Sequence, residues 1–267
     1  MSSDGHSAGN GRRTPIETSL GDARTALRAE RRRCVDENAA FRSFCAAVAD
    51  VQPSASAGSS AGPLAVKTVG RMAASPPLSA VRRAYERTVM EVPHYEEEYG
   101  DTYEESLRAE FGDDIAAGVT SASAFSPELR RAVVAAGESA ARERREFLDL
   151  LDAEFESLDA VEDGIERTVT DLSSLDDRPL SSRSFDELVA LRGDVRALRD
   201  ELDERARERQ RTLVAHRRTL SGLVPSVTDY LYYDIDCEYP GLDALASARR
   251  LVETALSRVD RRIATTG

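Results

Sequence analysis

Few residues in this chain could do chemistry. His6, His94 and His216 are the only histidines, and Glu91 with His94 in EVPH is the one place where a carboxylate precedes an imidazole by three residues. Helical bundles hold di-iron or di-manganese through carboxylates from four helices, two of which carry Glu-x-x-His. Here the spacing occurs once, and Pro93 lies inside it, where it spoils the i, i+3 geometry that would turn both ligands to one face. Glu91 and His94 are thus the only metal candidates, and no cofactor or catalytic residue is assigned. Asp234, Asp236 and Glu238 imitate the start of a calcium loop, but Tyr239 stands where that loop needs glycine and Leu245 where it needs a bidentate glutamate. Cys34, Cys45 and Cys237 form no CxxC pair, so they read as small apolar residues. No glycine-rich phosphate loop or nucleophile elbow is present.

The stretch EVPHYEEEYGDTYEE is the most unusual. Tyr95, Tyr99, Tyr103, Leu107 and Phe111 repeat every four residues, which makes an aromatic stripe if Gly100 and Asp101 leave the helix unbroken. Packed on the long hairpin described below, that stripe would bury its rings and leave Glu96, Glu97, Glu98, Glu104 and Glu105 in solvent or facing arginines. Pro93, His94 and the three tyrosines then form a structural elbow or an interaction patch. Tyr230, Tyr232, Tyr233 and Tyr239 read in the same way, as wedges in a corner between two helices.

Arginine clusters near residue 30, at 142–145 and at 205–211 raise the possibility of nucleic acid. The acids beside them point instead to i, i+4 ion pairs on solvated faces. SLRAEFGDDIAAGV has a loose helix-turn-helix look with Gly112 at the turn, but its reading helix would present Asp113 and Asp114 and no base before Arg130.

These residues must be positioned by helices. The 267-residue chain has 41% hydrophobic residues and no tryptophan, which suits thin helical cores. Its 48 acids outnumber 36 bases, giving a net charge of −12, and Lys67 is the only lysine. Such a surface suits concentrated salt, because carboxylates hold water and keep molecules apart while lysine stems add apolar area. The first thirteen residues lack the apolar core of a secretory signal, and no run is long enough to span a bilayer, so a cytoplasmic setting is expected.

Residues 1–13 read as a disordered leader. Thr14, Pro15 and Glu17 then make a capping-box start for an N-terminal amphipathic helix over 14–51, with Leu20, Leu27, Cys34, Phe41 and Val48 seven apart. The small polar residues of 52–63 open a segment, 52–75, that reads as a flexible linker. Short helices follow over 76–126, the first bending or ending at Pro93, another closing at Gly112.

From 127 to 267 the pattern is strongest. Phe147, Leu151, Glu154, Leu158, Val161, Ile165, Thr168, Leu172 and Leu175 alternate steps of four and three, with Gly137 and Gly164 as weak points. After a turn, Ser184 and Glu187 form a second capping box. Leu188, Leu191, Val195, Leu198 and Leu202 continue the beat, which shifts at Ala206 as a stutter and resumes through Leu213 and Leu220. The short connection predicts a long antiparallel αα-hairpin. After Pro225 and the tyrosine corner, a last helix from Pro240 carries Leu242, Leu245, Val252, Leu256, Val259 and Ile263. The expected fold is all-α: a coiled-coil-like hairpin packed with flanking helices into an elongated bundle.

YERTVMEVPHYEEEYGDTYEESLRAEFG, FSPELRRAVVAAGESAARERREFLDLLD and the corner ending in YPGL resemble an uncharacterised haloarchaeal domain family of unknown function. The resemblance implies a cytoplasmic archaeal setting and carries no activity, ligand or site. The residues themselves lead to a non-enzymatic helical scaffold that associates through its helices with another protein or with itself, with no membrane or nucleic-acid role. Glu154 and Thr168 in the seam would leave room for a specific partner helix. The alternatives are a DNA-associated transcriptional regulator using residues 76–126, and a carboxylate-bound metal protein.

Overall fold

A computed structural model of the chain describes residues 15–54, 75–219 and 227–266. Among them every regular element is a helix: α1 Pro15–Asp50, α2 Pro76–Thr88, α3 Tyr95–Glu98, α4 Tyr103–Ser121, α5 Pro127–Leu175, a 3-10 turn at Leu180–Ser182, α6 Phe185–Thr219, α7 Val227–Leu231 and α8 Pro240–Thr266. None of these helices is long and apolar enough to cross a membrane. The protein is all-α. It divides into two compact units, one formed by residues up to Glu30 with Leu150–Gly267, the other by Arg31–Asp149.

In the first unit α5 and α6 run antiparallel. Leu175 meets Arg183, Gly164 meets Arg205 and Glu154 meets Arg209, so the partner's number rises as the α5 number falls. The hairpin turns cleanly because Ser184 and Glu187 cap α6 reciprocally: the Ser184 N–H donates to Glu187 Oε2 at 2.8 Å and the Glu187 N–H to Ser184 Oγ at 3.3 Å. That backbone hydrogen bond, with help from Arg178 and the Ser184 hydroxyl, brings the Glu187 carboxyl down to about 2. Leu151, Leu158 and Val161 on α5 and Leu188, Val195 and Leu202 on α6 are buried, each fully buried leucine worth about 1.5–3 kcal/mol.

The other long helices of this unit close on the hairpin. α8 packs antiparallel to α6, with Arg249 on Asp203 (2.7 Å) and Arg192 on Asp260 (2.6 Å). Its Ala244, Ala248, Val252, Leu256 and Val259 are buried. The start of α1 joins them through buried Leu20, Ala23 and Leu27, while Arg24 reaches both Asp159 and Glu162.

The second unit is built around aromatic rings. Phe41 and Phe44 from α1, Tyr85 from α2, and Tyr103 and Phe111 from α4 share one core with Val133, Ala140 and Ala141. Tyr85 sits edge-on to Phe44, Tyr103 and Phe111 at centroid separations of 5.3, 5.7 and 5.8 Å, the arrangement the ring quadrupole favours. After α1 the chain is pinned, since the Ser54 N–H donates to the Phe125 carbonyl (2.8 Å) and the Phe125 N–H to Ser54 Oγ (3.1 Å).

Several expectations need correction. The tyrosine stripe is not one helix, because Gly100 takes φ +58° and Thr102 opens a new helix with a capping box to Glu105. Its Phe111 ring packs on Phe41 and Phe44 of α1 and its Tyr103 ring on Tyr85 of α2, in a core shared with Val133, Ala140 and Ala141 of α5. α2 ends at Thr88, five residues before Pro93. Gly112 does break the helical path, with φ 79° and ψ 167°, a region glycine alone occupies readily. Gly137 and Gly164 interrupt nothing; a Cβ at Gly137 would lie 2.6 Å from Cys45 Sγ, and one at Gly164 would collide with Arg205. The stutter at Ala206 is absent: Leu188, Val195, Leu202, Arg209 and His216 stand strictly seven apart and are all buried, so the seam keeps its period and changes its chemistry. Thr14, the Glu17 side chain, Leu220, Pro225, His6 and most of the 52–75 segment lie outside the described residues.

Candidate functional site

Among the described residues the first unit encloses a buried charge cluster, and the second holds a half-buried one. In the first, Glu154 takes the seam position between Leu151 and Leu158, and Arg209 takes the position seven after Leu202, so the two meet across the hairpin. Glu154 is 1% exposed and Arg209 2%. Arg209 Nη2 donates to Glu154 Oε1 at 2.5 Å and Nη1 to Oε2 at 2.7 Å, a bidentate pair. Nη1 also donates to Ser157 Oγ at 3.0 Å. The Tyr232 hydroxyl, after α7, donates to Oε1 at 2.5 Å. His216 Nδ1 lies 3.3 Å from Oε2, poorly aligned for a hydrogen bond. Gly241 lets α8 approach, since a Cβ there would lie 3.1 Å from Arg209 Nε and 3.2 Å from Leu158 Cδ2.

Burial alone would raise the Glu154 carboxyl, but Arg209, His216 and Tyr232 together outweigh it and bring the pKa down to about 2. Burial and the facing carboxylate push the Tyr232 hydroxyl up. Glu154 is therefore an ionised group whose oxygens are all engaged. Oε1 accepts two hydrogen bonds and Oε2 one, and the helix that faces Glu154 across the seam is α6. Thr168 is likewise satisfied within α5, its hydroxyl donating to the Gly164 carbonyl at 2.9 Å.

In the second unit Arg144 of α5 joins two carboxylates. Its Nε donates to Glu37 Oε2 at 3.1 Å, its Nη2 to Glu110 Oε1 at 2.6 Å, and its guanidinium lies 4.9 Å from the Phe41 ring centroid. Glu37 also receives His94 Nε2 at 2.9 Å and the Tyr99 hydroxyl at 2.8 Å. Burial raises the Glu37 carboxyl, but His94, Arg144 and Tyr99 outweigh it and leave it lowered. A carboxylate only accepts, so His94 carries its hydrogen on Nε2. At Glu110 burial wins over Arg144, and the carboxyl is raised.

The sequence candidates disperse. Glu91 and Pro93 are exposed while His94 is buried and faces Glu37. Among the described residues no three His, Cys, Asp or Glu gather as metal ligands. Tyr95 is buried, its hydroxyl donating to the Asp101 carbonyl at 3.3 Å. Tyr103 is buried with its hydroxyl unpartnered, and Arg82 stacks over its ring at 4.8 Å. Of the second tyrosine group only Tyr232 is wedged inside. Tyr230 reaches Glu30 at 2.7 Å, Tyr233 is 85% exposed and Tyr239 is half-buried. The sequence reading missed Arg209, His216, Glu37, Arg144 and Glu110. Heptad counting reaches the first two; Glu37 and Arg144 are 107 residues apart and nothing local announces them.

Outside the clusters, the first unit carries an open apolar groove of about 370 Å³ where α5, α6 and α8 meet near the hairpin turn. Val169 and Leu172 of α5, Leu191 and Val195 of α6, and Leu251 and Val259 of α8 line it, with Asp176 and Arg258 as its charged residues. In the second unit the face suggested for DNA is acidic: Asp113 and Asp114 are exposed, and Arg108 is bound to Glu104 and Asp113.

No curated protein matches the chain, and no solved structure does. Residues 18–256 match a family described as Domain of unknown function (DUF7260), a span that takes in both charge clusters and most of the groove. The chain belongs to the DUF7260 family.

Proposed function

We propose that this protein is a non-enzymatic helical interaction module, working in a salt-rich cytoplasm, whose first unit receives an apolar surface in the groove between α5, α6 and α8. The observation that carries the reading is the contrast between that groove and the charge clusters. Glu154 and Arg209 hold each other through two hydrogen bonds, with Tyr232 donating to the same carboxylate, and this pairing serves to fix helix register. The groove leaves aliphatic side chains half in water, with Leu251 50% exposed and Val169 42%, a cost that a docked surface would remove. The lysine-poor, acid-rich composition supports the salt-rich setting. A DNA role draws no support from the acidic face of α4, nor a metal role from His94 bonded to Glu37.

A photocrosslinking residue at position 251, introduced in the native cell, tests the reading. A discrete crosslinked product is expected from position 251 and none from exposed Tyr233. A folded protein that yields no product from position 251 would overturn it.

A further inference from the structure

We infer that the groove's occupant is a second copy of this chain, bound in a two-fold pair; the inference rests on the interaction reading above and names its partner. The groove lies where four-helix packing ends. Arg24 of α1 reaches Asp159 and Glu162 of α5, so in an antiparallel neighbour rising equally per residue the first turn, at Pro15, comes level with about Thr170. The groove begins at Val169, at the level where the described part of α1 starts.

The chain itself presents what the groove lacks. Phe185 and Val189, one turn apart at the start of α6, are 47% and 46% exposed, forming an apolar ridge on the helix whose Leu191 and Val195 line the groove. A ridge and a groove at one end of one unit are self-complementary: each copy inserts its Phe185–Val189 ridge into the other's groove, as an isologous contact requires. The charges agree. Asp176 belongs to the α5 side of the groove and Arg258 to the α8 side, and the proposed pair is the two-fold arrangement that turns each copy's Asp176 toward the other's Arg258. Like charges would oppose this pairing; one of each sign permits it and fixes its orientation.

Sedimentation equilibrium of the full chain in molar potassium chloride tests the pairing. A reversible dimer is expected. Phe185→Glu with Val189→Glu should give monomer with unchanged helical circular dichroism, both side chains being exposed. Asp176→Arg should weaken the dimer by about tenfold or more, and adding Arg258→Asp should restore it to within about threefold. Monomer at every concentration, or a dimer indifferent to these substitutions, overturns the inference. The crosslink from position 251 separates the two readings: a product at twice the chain mass supports the pair, and a product with another protein sinks the pair while keeping the interaction reading. Monomer without any product sinks both.

Discussion

Replacing Arg209 by methionine keeps the aliphatic stem that fills the seam and removes the guanidinium. Glu154 then loses two charge-assisted hydrogen bonds, at 2.5 and 2.7 Å, and keeps the Tyr232 hydroxyl and the His216 contact. Stripping one partner from a buried ion pair costs about 3–5 kcal/mol. In the native protein the carboxyl sits at about 2 against an ordinary 4.5, which corresponds to about 3 kcal/mol of stability at neutral pH. Because the folded value is the lower one, that stability is full above the unfolded value and is lost as pH falls from about 4.5 through about 2. In Arg209→Met burial dominates and the folded value moves up, so stability now rises as pH falls through it. The gap between native and variant should therefore be widest near neutrality and shrink toward pH 4. Urea unfolding followed by circular dichroism from pH 7 to 4 reads both the size and the slope. Adding Glu154→Leu and Tyr232→Phe, which removes the orphaned groups, should recover most of the loss. A cost for Arg209→Met below about 1 kcal/mol, or one independent of pH, would refute the reasoning.

The second cluster gives the opposite sign. Burial raises Glu110 despite Arg144, so its carboxylate is a liability above its ordinary range, and Glu110→Gln should leave stability at pH 7 unchanged or slightly higher in urea titration. A clear loss would show the Arg144 pair to be net favourable. Gly112→Ala forces a side chain onto φ 79°, ψ 167° and should cost about 1–3 kcal/mol in the same assay. Thr102→Ala opens the capping box of α4 and should lower stability by about 1 kcal/mol, with amide exchange speeding first at the N-H groups of Glu104 and Glu105.

What could be read from the sequence follows the range of the interactions. The antiparallel hairpin was legible because Leu151, Leu158, Leu188 and Leu202 recur at the helical period, and the turn because Ser184 and Glu187 stand at capping spacing. Burial of Leu20, Leu27, Cys34, Phe41 and Val48 follows from their spacing of seven. The charge clusters were mostly illegible. Glu154 showed itself as a polar seam position, but a period counted through apolar residues alone skips Arg209 and His216 and so produces a stutter that the helix does not have. Glu37, His94, Arg144 and Glu110 come from four separate stretches and meet only in the folded unit, and the stripe from Tyr95 to Phe111 looked continuous until Gly100 turned it.

The antiparallel register that joins Glu154 to Arg209 underlies every functional statement above, and methyl-directed nuclear Overhauser spectroscopy tests it most directly. The account predicts cross-peaks between the Gly241 α protons and the Leu158 methyls, and between the Gly164 α protons and the Arg205 side chain, because each glycine lies against that neighbour. Folded, helical protein that lacks both, with Leu158 and Arg205 paired elsewhere, would contradict it.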